Sequence, residues 1–189
     1  VEYSDVKFTT ENPKQYFSDM LNLDNFSEYG GTGSARQYFL DASNGQFDLT
    51  CDVYGPVALP YERAYYGGNG LMGSDENPED MVVHAINSLK GQVDFSEYDC
   101  DKDDIMDNVF VFYAGTGEAS GGPASSVWPH AWELSQAGKS FTVDGILVDH
   151  YACTCELQGS QPDGIGTFCH EFSHIMGLPD LYNTYSSGV

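Results

Sequence analysis

Apolar residues along this chain follow two spacings, and each predicts a different element: every third or fourth position for helices, alternate or consecutive positions for strands. Phe17, Met20 and Leu21 fall on one side of a helix over residues 13–21, and Pro13 suits its first turn, where a missing N–H costs nothing. A second helix is predicted over 34–43, with Ser34 placed to cap its free N–H groups. The third, over 78–90, gathers Met81, Ala85, Ile86 and Leu89 into a stripe. His84 lies beside that stripe with no partner ligand placed with it, so a packed or rim role is expected. A fourth helix begins near Gly164.

The strand signals are shorter. Residues 109–115, Val-Phe-Val-Phe-Tyr-Ala-Gly, run apolar without a break, which marks a strand buried on both faces at the centre of a sheet. Residues 46–54 alternate after the turn Asn44-Gly45. Residues 1–8 read as the tail of a strand, and 56–60 as a short extended piece. Pro129 cannot sit inside a sheet, so 127–132 is predicted as an edge strand. Residues 141–143 and 146–155 read as a hairpin turning at Asp144-Gly145, with His150 packed or at the surface. The stretches 29–33, 61–77, 116–126 and 160–164 are read as loops, 116–126 crossing the rim of a cleft. Helices alternating with strands of mixed type give one α/β or α+β domain over residues 1–189, long enough for a real core.

Charge narrows the partners. Seven basic residues against 29 acidic ones leave a net charge of −22, which argues against nucleic acid and anionic membrane. Solubility outside the cytoplasm and neutralisation by divalent cations are the two ordinary reasons for such acidity. No apolar run approaches the ~20 residues of a membrane span. The opening residues are not a signal peptide; as the end of a strand, they predict a mature or trimmed chain. Cys51, Cys100, Cys153, Cys155 and Cys169 form no zinc-finger spacing. Cys153 and Cys155 are too close to bridge each other comfortably; pairing elsewhere and a reduced set both fit. Cys169, beside His170, is expected to pack inward.

The densest chemistry lies in His170-Glu171-Phe172-Ser173-His174-Ile175-Met176-Gly177-Leu178-Pro179-Asp180. Residues four apart share a helix face, so His170 and His174 can aim both imidazoles at one point, and that point suits zinc. Glu171 can then reach a water at the metal without binding the metal itself. Gly177 permits the left-handed turn that ends a helix, Pro179 forbids its resumption, and the bend can return Asp180 as a third, oxygen ligand. The plainer alternative is two surface histidines on an acidic amphipathic helix.

A second cluster offers hard oxygen ligands. Asp99, Asp101, Asp103 and Asp107 occupy positions 1, 3, 5 and 9 of a calcium-type loop, with the carbonyl of Ile105 at position 7. Asp104 replaces the turn glycine, and Phe110 stands where a bidentate glutamate is expected. Aspartate tolerates a left-handed conformation, so the turn survives, but the site is predicted to be weak. The alternative is a solvated acidic turn.

His-Glu-Phe-Ser-His-Ile-Met-Gly-Leu-Pro-Asp-Leu-Tyr resembles the zinc site of the M6 (immune inhibitor A-like) secreted metalloproteases, a branch of the metzincins. The segment Ser-Ala-Arg-Gln-Tyr-Phe-Leu-Asp-Ala-Ser-Asn-Gly-Gln-Phe-Asp-Leu-Thr and the stretch Trp-Pro-His-Ala-Trp are similar to their M6 counterparts. The resemblance implies a metzincin-like zincin catalytic domain: a mixed twisted sheet, an antiparallel edge strand and a central zinc-binding helix. It implies a secreted, cell-surface or periplasmic zinc endopeptidase acting on protein or peptide, with His170, His174 and Asp180 as ligands and Glu171 as general base. It also implies calcium in the 99–107 loop, where that family usually carries glycine at the place of Asp104. Substrate would pair with the edge strand, near Trp128, His130 and Trp132, although His130 suits a structural hydrogen bond equally well. A methionine-containing turn beyond the third ligand is missing, so a fragment or internally cleaved piece is expected. The rivals are a non-catalytic zinc- and calcium-stabilised binding or adhesion domain, a thermolysin-class peptidase, and a cytosolic zinc hydrolase of small molecules.

Overall fold

The computed structural model describes residues 1–70 and 73–181. Helix α1 (Pro13–Asn22) carries Pro13 in its first turn and buries Tyr16, Phe17, Met20 and Leu21. Helix α2 (Ala35–Ala42) opens on a capping box: the Ser34 hydroxyl accepts from the Gln37 N–H, and the Gln37 side chain accepts from the Ser34 N–H. After the short α3 (Arg63–Gly67), helix α4 (Glu79–Leu89) turns Met81, Val82, Ala85 and Ile86 inward. His84 packs as expected, its Nδ1 3.0 Å from the Tyr66 hydroxyl.

The strands are β1 (Val109–Thr116), β2 (His130–Glu133), β3 (Phe141–Val143), β4 (Ile146–Val148), β5 (His150–Gln158) and β6 (Gln161–Pro162). Four of them form one mixed sheet, with β1, β5 and β2 in the order β1-β5-β2. In it β1 runs parallel to β5, β2 runs antiparallel to it, and β6 pairs with the end of β5; β3 and β4 make a separate hairpin. Helix α5 (Ile165–Ile175) follows β6 and packs on the sheet. The fold is α+β, with an antiparallel strand at the sheet edge.

Alternation along the strands divides the interior into two layers. Val111 and Tyr113 of β1, with Tyr151, Cys153 and Cys155 of β5, meet Tyr3, Met81, Val82 and Ile86 on one face. Phe110 and Phe112 meet Phe17, Phe39, Phe168, Cys169 and Phe172 on the other, where α1, α2 and α5 gather. Cys169 is therefore inward-facing, and all five cysteines are free. Glu156 on β5 is fully buried yet well satisfied. Its Oε1 accepts the N–H and hydroxyl groups of Thr9 and Thr10 at 2.7–3.0 Å, and its Oε2 accepts the Gly115 N–H at 2.9 Å.

Four expectations need correction. The central strand is β5, not β1, because the predicted hairpin ends at Val148. There Asp149 diverts the chain: its carbonyl accepts the Leu134 N–H and its carboxylate the Ser135 N–H, and β5 then re-enters the main sheet. The expected loop 61–77 contains α3, whose Tyr66 is fully buried. Gly67 is needed there, since a Cβ would lie 2.3 Å from the backbone nitrogen of Val127; Leu71 and Met72 of this stretch lie outside the described residues. Residues 46–54 keep no strand pairing; the Asn22 side chain takes both backbone groups of Cys51. The expected strand tail 1–8 shortens to Val1 and Glu2, with a single bridge from Glu2 to Ala58.

Candidate metal centre

Helix α5 starts at the N-cap Gly164 and puts His170 and His174 one turn apart, their Nε2 atoms 3.2 Å from each other. The helix then ends in a Schellman arrangement. Gly177, at φ +87°, sends its N–H to the His174 carbonyl (2.9 Å), and the Leu178 N–H reaches the Ser173 carbonyl (3.0 Å). This reversal carries Asp180 back over the helix end. Its Oδ1 lies 3.5 Å from His170 Nε2 and 3.4 Å from His174 Nε2. That oxygen is buried without a hydrogen-bond partner, a costly state for a carboxylate unless a cation is meant to sit against it.

One bond the sequence did not reveal fixes the chemistry of His174. Its Nδ1 lies 2.8 Å from the Leu178 carbonyl. A carbonyl only accepts, so Nδ1 is the donor, and in the neutral ring Nε2 is the nitrogen left facing the cluster. Two imidazole nitrogens and one carboxylate oxygen are a donor set that can hold zinc, which takes such ligands at about 2.0–2.2 Å in tetrahedral array. Atoms around a tetrahedral ion at that range stand about 3.3–3.6 Å apart; the two Asp180 separations, 3.5 and 3.4 Å, fall within it and the Nε2–Nε2 distance of 3.2 Å lies just below it.

Glu171 belongs to the same group of ligand atoms as the two histidines but is only 7% exposed. Burial pushes its carboxyl above the ordinary range, while His170, His174 and His130 pull it back. A carboxyl so placed can take up a proton and release it.

The remaining predicted residues fall in two places. His130 and Trp132 lie opposite Cys153 and Tyr151 in the β2–β5 ladder, so their side chains share the face away from α5. The Nδ1 of His130 donates to the Trp128 carbonyl (2.7 Å), and its Nε2 accepts from the Tyr151 hydroxyl (2.8 Å). Trp128 and Trp132 are half exposed. In the middle of the chain, ligand atoms of Asp99, Asp101 and Asp107 lie within 4.8 Å of one another. Asp104 takes the left-handed conformation expected of it, φ +65°. Asp103 is not in that group: its carboxylate accepts the Ile105 N–H, while its own N–H donates to Asp99.

Residues 4–189 match the family described as immune inhibitor A peptidase M6, catalytic domain. Among curated relatives, the pre-pro-metalloprotease PrtV of Vibrio cholerae serotype O1 is 26% identical over 218 residues, covering all of this chain and 23% of the relative. Immune inhibitor A of Bacillus thuringiensis subsp. alesti is 26% identical over 232 residues, covering all of this chain and 33% of the relative. The chain thus spans a quarter to a third of the length of these relatives. Because the family match runs over nearly every residue, the chain belongs to the immune inhibitor A peptidases of family M6.

Proposed function

We propose that this chain is the zinc-binding part of a metalloendopeptidase catalytic domain, with His170, His174 and Asp180 as metal ligands and Glu171 as general base. The observation that carries the reading is the unpartnered Oδ1 of Asp180, held 3.4–3.5 Å from two imidazole nitrogens. Zinc, when bound, supplies the Lewis acidity that polarises a carbonyl and acidifies water. Glu171 accepts the proton of the attacking water as its oxygen bonds to the peptide carbonyl carbon. It then delivers that proton to the amide nitrogen as the C–N bond breaks, so one carboxylate serves both halves of the hydrolysis. Its burial favours holding the proton between the two events.

Substrate enters as an extended strand. β2 lies at the end of the sheet order and pairs on one side with β5, so its outer edge can take a peptide by strand addition. On this reading recognition comes from the β2 backbone and the half-exposed indoles of Trp128 and Trp132, while His130 holds the strand in place. The 99–107 loop binds calcium through Asp99, Asp101 and Asp107, with Asp103 and the Ile105 carbonyl within the same loop. The domain works outside the cytoplasm, as its charge of −22 suits; no helix among the described residues is long and apolar enough to cross a membrane.

The test is casein cleavage by zinc-loaded protein and its Glu171→Ala variant. Proton transfer by a positioned carboxylate is worth about 10²–10⁴-fold, so the variant should lose at least that lower factor while retaining bound zinc. Cleavage at the original rate would remove Glu171 from the mechanism. Zinc bound with no cleavage by either protein would favour a binding or adhesion domain.

A further inference from the structure

The entrance to β2 is held by side chains where the sheet does not reach. Val127, Trp128 and Pro129 lie outside the strands, and Pro129 has no N–H to give a neighbour. Both backbone groups of Trp128 are satisfied all the same. Its N–H donates to Asp75 Oδ2 at 2.9 Å, and its carbonyl accepts from His130 Nδ1 at 2.7 Å. The Val127 carbonyl takes the Tyr113 hydroxyl at 2.6 Å. With its main chain fastened in this way, Trp128 still leaves its indole side 54% exposed.

Asp75 comes from the stretch between α3 and α4. It bridges Asn69 in antiparallel fashion, and the Asn77 N–H reaches the carbonyl of the fully buried Tyr66 at 3.2 Å, so the stretch is tied to the core. Burial pushes the Asp75 carboxyl up, while the Trp128 N–H and the His130 ring pull it back. Beyond this clamp, the ladder decides which atoms of β2 stay free. His130 and Trp132 lie opposite Cys153 and Tyr151, and the Leu134 N–H donates to the Asp149 carbonyl in the same register. In an antiparallel pair every second residue turns both backbone groups to its partner. Residues 130, 132 and 134 do so here, which leaves the backbone groups of Ala131 and Glu133 turned outward.

We propose that Asp75 is a positioning residue for substrate: it fixes Trp128 so that the indole meets an apolar side chain of an extended peptide whose backbone pairs with Ala131 and Glu133. This role rests on the reading of β2 as the substrate edge and adds the residue that aligns it. Trp128 has both backbone groups committed, so what it offers a peptide is the flat apolar face of its ring. Helix α5, which carries Glu171, packs against the same strand. Without the Asp75 carboxylate, the segment ahead of β2 loses one of its fastenings, and a peptide must immobilise a looser indole at a cost in entropy.

The chain has two tryptophans, so Trp132→Phe leaves Trp128 as its one indole fluorophore and serves as the parent for the test. Zinc-loaded parent, Asp75→Ala and Asp75→Asn forms are compared in cleavage of a quenched fluorogenic casein peptide, and in binding of the unlabelled peptide followed by Trp128 emission. Asp75→Ala should raise KM about tenfold at nearly constant kcat and weaken binding by a similar factor. Asp75→Asn, which keeps an oxygen to accept the N–H, should recover most of both. Trp128→Ala should raise KM to a like degree, and adding Asp75→Ala to it should change KM by less than about twofold. An unchanged KM in Asp75→Ala, full additivity with Trp128→Ala, or a fall in kcat at constant KM would overturn the proposal. Weaker binding in Asp75→Ala with no cleavage by any form would uphold the alignment by Asp75 and remove the endopeptidase reading; cleavage with equal KM in parent and Asp75→Ala would do the reverse.

Discussion

At the scale of single residues, the decisive fact is which imidazole nitrogen holds the proton. The Leu178 carbonyl makes Nδ1 the donor in His174, which leaves Nε2 of the neutral ring the atom that could face a metal. As a ligand, Asp180 would contribute the negative charge that brings a divalent centre to about +1, because a carboxylate would replace a third neutral ring. Partners of ligands commonly account for 10–100-fold in metal affinity, and loss of a ligand should exceed that. We therefore expect Asp180→Ala to weaken zinc binding by more than about 100-fold, measured by competition with a chromophoric chelator. Unchanged affinity would show that the third ligand lies elsewhere. The residue types at 170, 171, 174 and 180 made this cluster legible in the sequence, since their offsets fix a helix face and a bend. The Leu178 carbonyl was not legible: every residue has a carbonyl, and only the Schellman turn aims this one.

At the scale of elements, α5 matters as much for how it stops as for the face it shows. Gly177 sits at φ +87°, where a side chain costs about 1–2 kcal/mol. Gly177→Ala should lower the melting temperature by roughly 2–8 °C and weaken zinc binding, since Leu178 and Asp180 are placed by the same turn. Gly177→Asn should be milder, because asparagine tolerates this conformation. The start of α5 carries a pH signature. Burial pushes the Asp163 carboxyl above the ordinary range, against the opposing Thr167 hydroxyl, Gly164 N–H and Thr154 hydroxyl. A carboxyl whose folded pKa is raised contributes stability that is present below its unfolded value and lost as pH rises through the folded one. Asp163→Asn should therefore gain in melting temperature relative to the parent as pH rises from 3.5 to 7; a gain that is flat or shrinks would contradict the assignment. The helices α1, α2 and α4 were readable because each shows an apolar stripe with a cap or a first-turn proline. β5 was read only as part of a hairpin strand over 146–155, and its central place was hidden by its own composition: His-Tyr-Ala-Cys-Thr-Cys-Glu reads as mixed, and Glu156 looks like a surface residue. Its partners Thr9 and Thr10 lie 147 and 146 positions away, a separation that no local pattern reports.

At the scale of the whole molecule, a net charge of −22 means that compaction works against self-repulsion. The pressure is felt in the 99–107 loop. Like charge from Asp103 is the largest influence raising the Asp101 carboxyl. The mixed α+β class could be read from the order of elements, but strand order could not, because β5 reaches the centre of the sheet only after a separate hairpin intervenes. That hairpin also ties the acidic loop to the rest of the fold. The Leu147 N–H donates to the Asp104 carbonyl at 2.8 Å, and the Leu147 carbonyl accepts the Met106 N–H at 2.9 Å. A cation held by Asp99, Asp101 and Asp107 would thus stabilise the hairpin and not just its own loop. Screening by NaCl should raise the melting temperature modestly, since it weakens repulsion everywhere. Calcium at the same ionic strength should add to this, because a ligand bound only by the folded state contributes about 2.7 kcal/mol at a hundredfold excess over its Kd. Magnesium should add less, as its small octahedral shell fits a flexible set of carboxylates poorly. Asp107→Asn should erase the difference between calcium and magnesium while leaving the NaCl effect intact. Equal stabilisation by all three salts would reduce the loop to a solvated acidic turn, with repulsion and its screening as the whole account.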